Sequence, residues 1–340
     1  MMLGARTVSG RATLPLLLAL GCGGDDGRAD DDGPTGATGS ATQGDELGGT
    51  TSPTEGGSGG PTSGTGSSAT LDPSAEGTAT SDDPGPTTGD PPPPGSCGDP
   101  PVWCPTPTTS WQWQLSEALD TSVDVAMFDV DLFDNDAEQI STLHDQGRVV
   151  ICYFSAGSHE DWRPDAGEFP PAAIGSPLDG WPGERWLDIR DPTVRTVLAA
   201  RLDLAADKGC NGVEPDNVDG YSNDSGFPLS PADQLDFNQW LAEQAHQRGL
   251  SVGLKNDLDQ VEALLPYFDW ALNEECMAYD ECELLAPFID AGKAVFHVEY
   301  VDTPADGPAL AAAVCPDALA RSFSTLIKGW DLDAWRIACE

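Results

Sequence analysis

Residues 212–221 read Gly-Val-Glu-Pro-Asp-Asn-Val-Asp-Gly-Tyr, an apolar start running into three carboxylates, Glu214, Asp216 and Asp219, with Asn217 between them. A core strand gains nothing from three like charges, because each buried carboxylate costs several kcal/mol unless it is paired. A second acidic end follows at Asn273-Glu274-Glu275-Cys276. Acids gathered where strands stop belong at the mouth of a parallel α/β enzyme. A carboxyl from each of two such ends can cut a glycosidic bond: one protonates the leaving oxygen, and the other attacks the sugar or activates water.

Other segment ends finish in the same style. Asp129 and Asp131 close one, Tyr153 and Ser155 the next, Lys255 and Asn256 a third, and Glu299 and Tyr300 a fourth. Period-two alternation puts Glu214 and Asp216 on one face. Asp216 is nearer the mouth and is placed to touch substrate, while Glu214 lies deeper, holding Lys255 or a neighbour. Glu274 and Glu275 point opposite ways, and parity at a frayed end does not choose between them. Lys255 beside Asp216 would favour its anionic form, or would serve as a structural ion pair; both readings stand. Schiff-base chemistry ranks third, because nearby acids keep the ammonium protonated. Trp111, Trp113, Trp162, Trp181 and Trp186 are the aromatic faces available to sugar rings, with Trp113 and Trp186 assigned to the site.

Eight short apolar segments have to carry these groups: 111–115, 125–130, 149–155, 212–217, 251–256, 270–275, 294–299 and 324–328. Helical punctuation separates most of them. Asp191-Pro192 and Ser230-Pro231 open helices as cap and first-turn proline, and Gly209 and Gly249 close them. Residues 136–147 and 280–292 look similar. Strand and helix alternating to a count of eight predict a (β/α)8 TIM-type barrel. An open doubly wound sheet is the runner-up, but no glycine-rich phosphate loop follows any strand. Residues 157–190, rich in Trp, Pro and Gly, are expected as an ordered loop over the mouth.

The rest of the chain is of another kind. Residues 1–22 resemble a bacterial lipoprotein signal: Arg6 and Arg11, an apolar stretch from Leu14 to Leu20, and Gly21-Cys22 as cleavage point. The expectation is export, with a lipid on Cys22 holding the protein at the outer cell surface, or secretion if the leader is of the ordinary kind. Residues 23–96 are Gly, Ser, Thr, Pro and Asp with almost no aliphatic or aromatic side chains, so a disordered N-terminal tether is expected. Residues 97–340 form the catalytic domain. The whole chain carries −41, and this last part holds 44 acids against 13 bases, about −31. That argues against a nucleic-acid partner, which needs a basic face, and fits either a cationic ligand or plain solubility and adaptation to salt; both readings stand. Beyond the lipid no membrane contact is expected, and the domain reads as a monomer.

Of nine cysteines, eight remain once Cys22 is set aside as the anchor, an even number suited to disulfides in an oxidising compartment. Cys97–Cys104 and Cys276–Cys282 are the easiest local pairs, with Cys152–Cys210 and Cys315–Cys339 left over, but spacing does not fix the connectivity. No CxxC spacing occurs and the four histidines are scattered, so neither a metal nor a cofactor is expected.

Several ordered blocks resemble glycoside-hydrolase family 114: Trp111-Gln112-Trp113-Gln114, residues 150–157 (Val-Ile-Cys-Tyr-Phe-Ser-Ala-Gly), residues 212–221, Gly253-Leu254-Lys255-Asn256-Asp257, and Asn273-Glu274 with Cys276. Glu184-Arg185-Trp186-Leu187-Asp188 and Glu299-Tyr300 fit the same pattern. The resemblance spans residues 111–301. It implies a (β/α)8 endo-α-1,4-polygalactosaminidase whose substrate is a cationic galactosamine-containing polysaccharide. Carried over, Asp216 is the nucleophile or base and Glu274, rather than Glu275, the general acid. The substrate would meet Asp129, Asp131, Tyr153, Ser155, Glu214, Asn217, Asp219, Lys255, Asn256, Asn273, Glu299, Tyr300, Trp113 and Trp186.

Overall fold

The computed structural model describes residues 96–97 and 101–340. The leader, the Cys22 anchor and the tether lie outside the described residues. Eight parallel strands follow one another in chain order: β1 (Trp111–Gln114), β2 (Met127–Asp131), β3 (Val149–Ser155), β4 (Gly212–Asp216), β5 (Ser251–Lys255), β6 (Trp270–Glu274), β7 (Val295–Val301) and β8 (Ser324–Gly329). Each pairs with the next in register, for example Tyr153 with Glu214 across β3 and β4. The eight predicted segments are all strands, within two residues at each end. A short strand, Ile337–Ala338, adds antiparallel to β8. First and last strands meet through side chains and loops. Trp111 Nε1 donates to the Ser324 carbonyl at 2.9 Å, Gln112 Nε2 to that of Ala334 at 2.9 Å, and the Leu115 amide to that of Leu332 at 2.9 Å.

Helices lie between most strands, and local chemistry explains where they begin. The helix α1 (Ala137–Asp145) starts at a capping box in which Asp136 and Gln139 satisfy each other's amides. Asp191 caps α2 (Pro192–Lys208), and Gly209 ends it at φ +88°. Ser230 and Asp233 box the start of α3 (Pro231–His246). Later helices are shorter: α4 (Val261–Leu264), α5 (Ala286–Asp290) and α6 (Gly307–Ala320). The expected helix over 280–292 reduces to a 3-10 turn plus α5. Among the described residues no helix is long and apolar enough to cross a membrane.

Alternation along the strands makes two cores. One face, with Phe128, Val130, Val150, Phe154, Val213, Leu254 and Ala271, packs under the helices. The other fills the barrel with Trp111, Trp113, Met127, Ile151, Trp270, Leu272, Phe296, Val298 and Leu326. Room for Trp270 comes from Gly253, where a Cβ would fall 2.2 Å from the indole ring. Inward positions change character on climbing each strand. Met127 gives way to Asp129, Ile151 to Tyr153, Gly212 to Glu214 and Asp216, Leu272 to Glu274, and Val298 to Tyr300. The apolar lower half anchors the barrel, and the upper half is reserved for polar groups.

Residues 157–190, expected as an ordered loop, carry strands of their own. They form a three-stranded antiparallel sheet, with Glu184–Leu187 between Ser158–Glu160 and Ile174–Pro177. Buried charges fasten it to the barrel: Arg163 pairs with Asp131 at 2.6 Å and Glu160 at 2.8 Å, and Arg201 with Asp165 at 2.8 Å. Disulfides join Cys152–Cys210, Cys276–Cys282 and Cys315–Cys339, as paired in the sequence reading. Cys104 is disulfide-bonded too, while the side chain of its expected partner, Cys97, lies outside the described residues.

Candidate active site

At the C-terminal ends of β4, β5 and β6, three carboxylates surround one buried ammonium. Lys255 Nζ donates to Glu214 Oε1 at 2.9 Å and lies 3.2 Å from Asp216 Oδ1 and 3.3 Å from Glu274 Oε2. Beneath it the Trp113 ring centroid is 4.8 Å from Nζ, and Trp113 Nε1 donates to Glu214 Oε2 at 3.0 Å. Burial alone would pull the lysine's pKa down. The charges of Asp216, Glu214 and Glu274 outweigh it and hold the group well above its ordinary value. Lys255 is therefore a fixed cation, not a nucleophilic amine.

Depth separates the acids. The Glu214 side chain is 0% exposed, Asp216 18% and Glu274 27%. Only the last two can meet a molecule arriving from solvent. Glu214 supports them from below, and burial raises it to about 7 despite Lys255. Asp129, wholly buried beside Glu214, is driven well above the carboxylate range by burial and then by the Glu214 charge. It holds its proton and donates it to Glu214, so the two acids share one negative charge.

Each exposed acid is gripped by its own tyrosine and amide. The Tyr153 hydroxyl donates to Asp216 Oδ2 at 3.1 Å, and the Asn217 amide to Asp216 Oδ1 at 2.7 Å. The Tyr300 hydroxyl donates to Glu274 Oε1, and Asn256 Nδ2 to Glu274 Oε2 at 3.2 Å. Burial, and then the neighbouring carboxylate, raise both phenols well above the usual tyrosine value, so they remain donors. Left-handed backbone gathers at these ends: Asn217 at φ 59°, Asn256 at 49°, Asp257 at 45° and Glu275 at 61°. Four non-glycine residues in that region directly after three adjacent strands mark a site where local strain is held by its surroundings.

Several predicted contacts lie elsewhere. Asp131 is buried against Arg163 under the added sheet and accepts the amides of Phe133 and Asp134. Glu299 sits on the outward face of β7, accepting from the Met277 amide at 2.9 Å and facing His297 Nε2 at 3.1 Å. Strand parity allows only one of Glu299 and Tyr300 into the barrel, and Tyr300 takes that place. Asn273 also faces outward, donating to Asn256 Oδ1 and accepting from the Cys276 amide. Ser155 is fully buried and accepts from Asn217 Nδ2 at 2.9 Å. Trp113 is 1% exposed, which leaves no face for a sugar, and Trp186 packs against Gly220. Asp129, Glu214 and Lys255 are supports rather than contacts. Asp216, Asn217, Asp219, Asn256, Glu274, Tyr153 and Tyr300 keep some exposure. Of these, Asp219 is raised to about 6 by burial and then by the Asp216 charge.

The two glutamates at the end of β6 part company. Trp270, Leu272 and Glu274 share the inward face, while Glu275 turns off at positive φ and hands its amide to the Val298 carbonyl. One residue went unread in the sequence. Trp330, 41% exposed, stacks on Tyr300 with centroids 4.1 Å apart and planes at 13°. Its signal was its position directly after β8, where an aromatic stands at the mouth end of a strand.

Among the described residues Cys276, Cys282 and His297 bring ligand-type atoms within 4.8 Å of one another. The two sulfurs are joined in a disulfide, which removes the thiolates that zinc would need.

Comparison with known proteins supplies a family. The model of glycoside-hydrolase family GH114 matches residues 95–340. A crystal structure of Aspergillus fumigatus Ega3 in complex with galactosamine superposes with TM-score 0.67 at 46% identity, covering 70% of this chain and 97% of that one. The glycoside hydrolase domain of PelA from Pseudomonas aeruginosa has the same fold at 14% identity and TM-score 0.55, covering 67% of this chain and 98% of that one. No curated protein sequence matches the chain.

Proposed function

The chain belongs to glycoside-hydrolase family GH114, and we propose that it is an endo-glycosidase cutting α-1,4-linked galactosamine polymers, with Asp216 and Glu274 as its catalytic pair. The observation that carries this reading is that these two partly exposed carboxylates both lie within 3.3 Å of Lys255 Nζ at the barrel mouth. Glu274 protonates the glycosidic oxygen. Asp216, paired with Lys255 and accepting the Asn217 amide, attacks the anomeric carbon, and water then releases the sugar with Glu274 acting as base. The legs of 3.2 and 3.3 Å to a common nitrogen cap the separation of the two facing oxygens at about 6.5 Å. That cap sits at the bottom of the spacing an inverting pair needs to seat a water, which favours retention over inversion.

Charge supports the substrate class. A domain of about −31 draws polycations towards it, and the mouth presents Asp216, Asp219 and Glu274 to an incoming ammonium. A 46% identical relative was crystallised with galactosamine. Disulfides suit an oxidising compartment, in keeping with export of residues 97–340 as a monomeric hydrolase domain on a tether lipidated at Cys22.

Reducing-end release from partially deacetylated α-1,4-galactosaminan tests the reading. Wild type should liberate oligomers. Glu274→Gln and Asp216→Asn should each lose roughly 10²–10⁴-fold in kcat/KM while still binding polymer. Binding without cleavage by wild type would instead make the barrel a lectin.

A further inference from the structure

We propose that Trp330 forms a binding subsite for the sugar on the leaving-group side of the scissile bond, its exposed ring face receiving an aminosugar ring. This rests on the reading of Glu274 as general acid. A general acid lies against the glycosidic oxygen, so whatever flanks it lies next to the departing sugar. The chain of contacts is short: Glu274 accepts from the Tyr300 hydroxyl, and Trp330 stacks flat on the Tyr300 ring at 4.1 Å and 13°. One indole face is thereby occupied, yet the residue remains 41% exposed. Exposed tryptophan has no stabilising reason to stand open at the rim of an acidic cleft. A flat face there suits an aminosugar, whose ring lies on the indole while its ammonium is drawn to the π-cloud.

The segment carrying Trp330 is built to hold it still. Lys328, fully buried beside Tyr300 on β8, donates to the Asp333 carbonyl at 2.6 Å. The Leu332 amide donates to the Gly329 carbonyl at 3.1 Å, and the Leu332 carbonyl accepts from Leu115 and Ser116 at 2.9 and 3.3 Å. Leu332 itself is buried in the barrel core, and the Trp335 amide donates to Asp333 Oδ1 at 2.9 Å. A turn anchored in this way presents its aromatic face pre-ordered, so little conformational freedom is lost when a sugar binds.

Trp330→Ala and Trp330→Phe, assayed on two substrates, decide the matter. One is α-1,4-galactosaminan; the other is the α-glycosyl fluoride of a galactosamine oligomer, whose leaving group places neither a sugar nor any ring beyond the cleaved bond. Trp330→Ala should lose about 5- to 30-fold in kcat/KM on polymer, the equivalent of one good aromatic–cation contact. It should keep wild-type rates on the fluoride, and Trp330→Phe should recover part of the loss. The basic limb of the polymer pH–rate profile should stay where it is. A shifted limb would mean that Trp330 acts only by holding Tyr300 on Glu274. That result, equal losses on both substrates, or no loss at all would each overturn the subsite. Wild type inert on both substrates would overturn the glycosidase reading itself, and the subsite with it.

Discussion

The Asp129–Glu214 pair shows how one proton organises the site. Two fully buried carboxyls with only Lys255 to balance them cannot both ionise, and Asp129 keeps the proton because Lys255 and Trp113 both favour the anion on Glu214. The role of Asp129 is then that of a neutral donor. Asp129→Asn, which still donates, should retain activity within a few-fold and leave the fold intact. Asp129→Ala, which leaves a void beside Glu214 and removes one of its donors, should cost on the order of tenfold or more in kcat and about 1–3 kcal/mol in stability. Steady-state kinetics and thermal unfolding of the two variants check this, and equal damage from both would show that Asp129 works as an anion. At the same scale Glu299 is a loop anchor. Glu299→Gln, still able to accept the Met277 amide, should stay close to wild type in activity, whereas Glu299→Ala should lower Tm.

Among the elements, the close approach of β3 and β4 sets the attitude of Asp216. The amides of Ala156 and Gly157 both donate to the Asp216 carbonyl, at 2.9 and 3.1 Å, and the Leu187 amide donates to the Gly157 carbonyl at 2.8 Å, tying in the added sheet. A Cβ at position 157 would fall 1.7 Å from the Asn217 carbonyl oxygen, well inside contact distance and against rigid backbone. Gly157→Ala must therefore push the two strand ends apart. The expected result is a loss of about 1–3 kcal/mol in stability together with a fall in kcat larger than destabilisation alone explains. Denaturant titration and turnover of the still-folded fraction separate the two effects.

For the whole molecule, charge governs both substrate capture and stability. Galactosaminan cleavage should slow as salt rises from about 0.01 to 0.3 M, mainly through kcat/KM, because screening removes the long-range pull of the acidic domain. Stability should depend on pH in a fixed direction. Burial lifts Asp257 and Glu214 to about 7 and Asp219 to about 6, whereas in an unfolded chain all three titrate near 4. The folded state thus takes up protons between these limits. Their stabilising effect is complete below about pH 4 and is lost as pH rises through 6 to 7. Unfolding experiments should find the domain less stable at pH 8 than at pH 5 by several kcal/mol, on the order of 5. Asp257→Asn should flatten that slope, since an amide cannot ionise and asparagine tolerates the φ of 45° at this position.

Repetition made the barrel legible in the chain. Eight apolar segments, the caps at Asp136, Asp191 and Ser230, and the stop at Gly209 are local signals, and local hydrogen bonding and burial obey them. Polar strand ends pointed to the mouth for the same reason, and period two placed Glu214 beneath Asp216 as found. Tertiary structure alone decided what each polar end does. Asp131, Asn273 and Glu299 carry the right chemistry at the right strand ends. Arg163 of the added sheet captures the first, and strand parity turns the other two to the outer face, where the amides of Cys276 and Met277 occupy them. Trp113 was legible as an aromatic but not as a floor, since its burial depends on the closure of β1 onto β8 far along the chain. Trp330 lay hidden because its meaning is a stacking contact with a residue thirty positions earlier. Spacing along a chain reports which groups share a face, whereas exposure, and with it the power to touch a substrate, is set by what the closed barrel brings down on top of them.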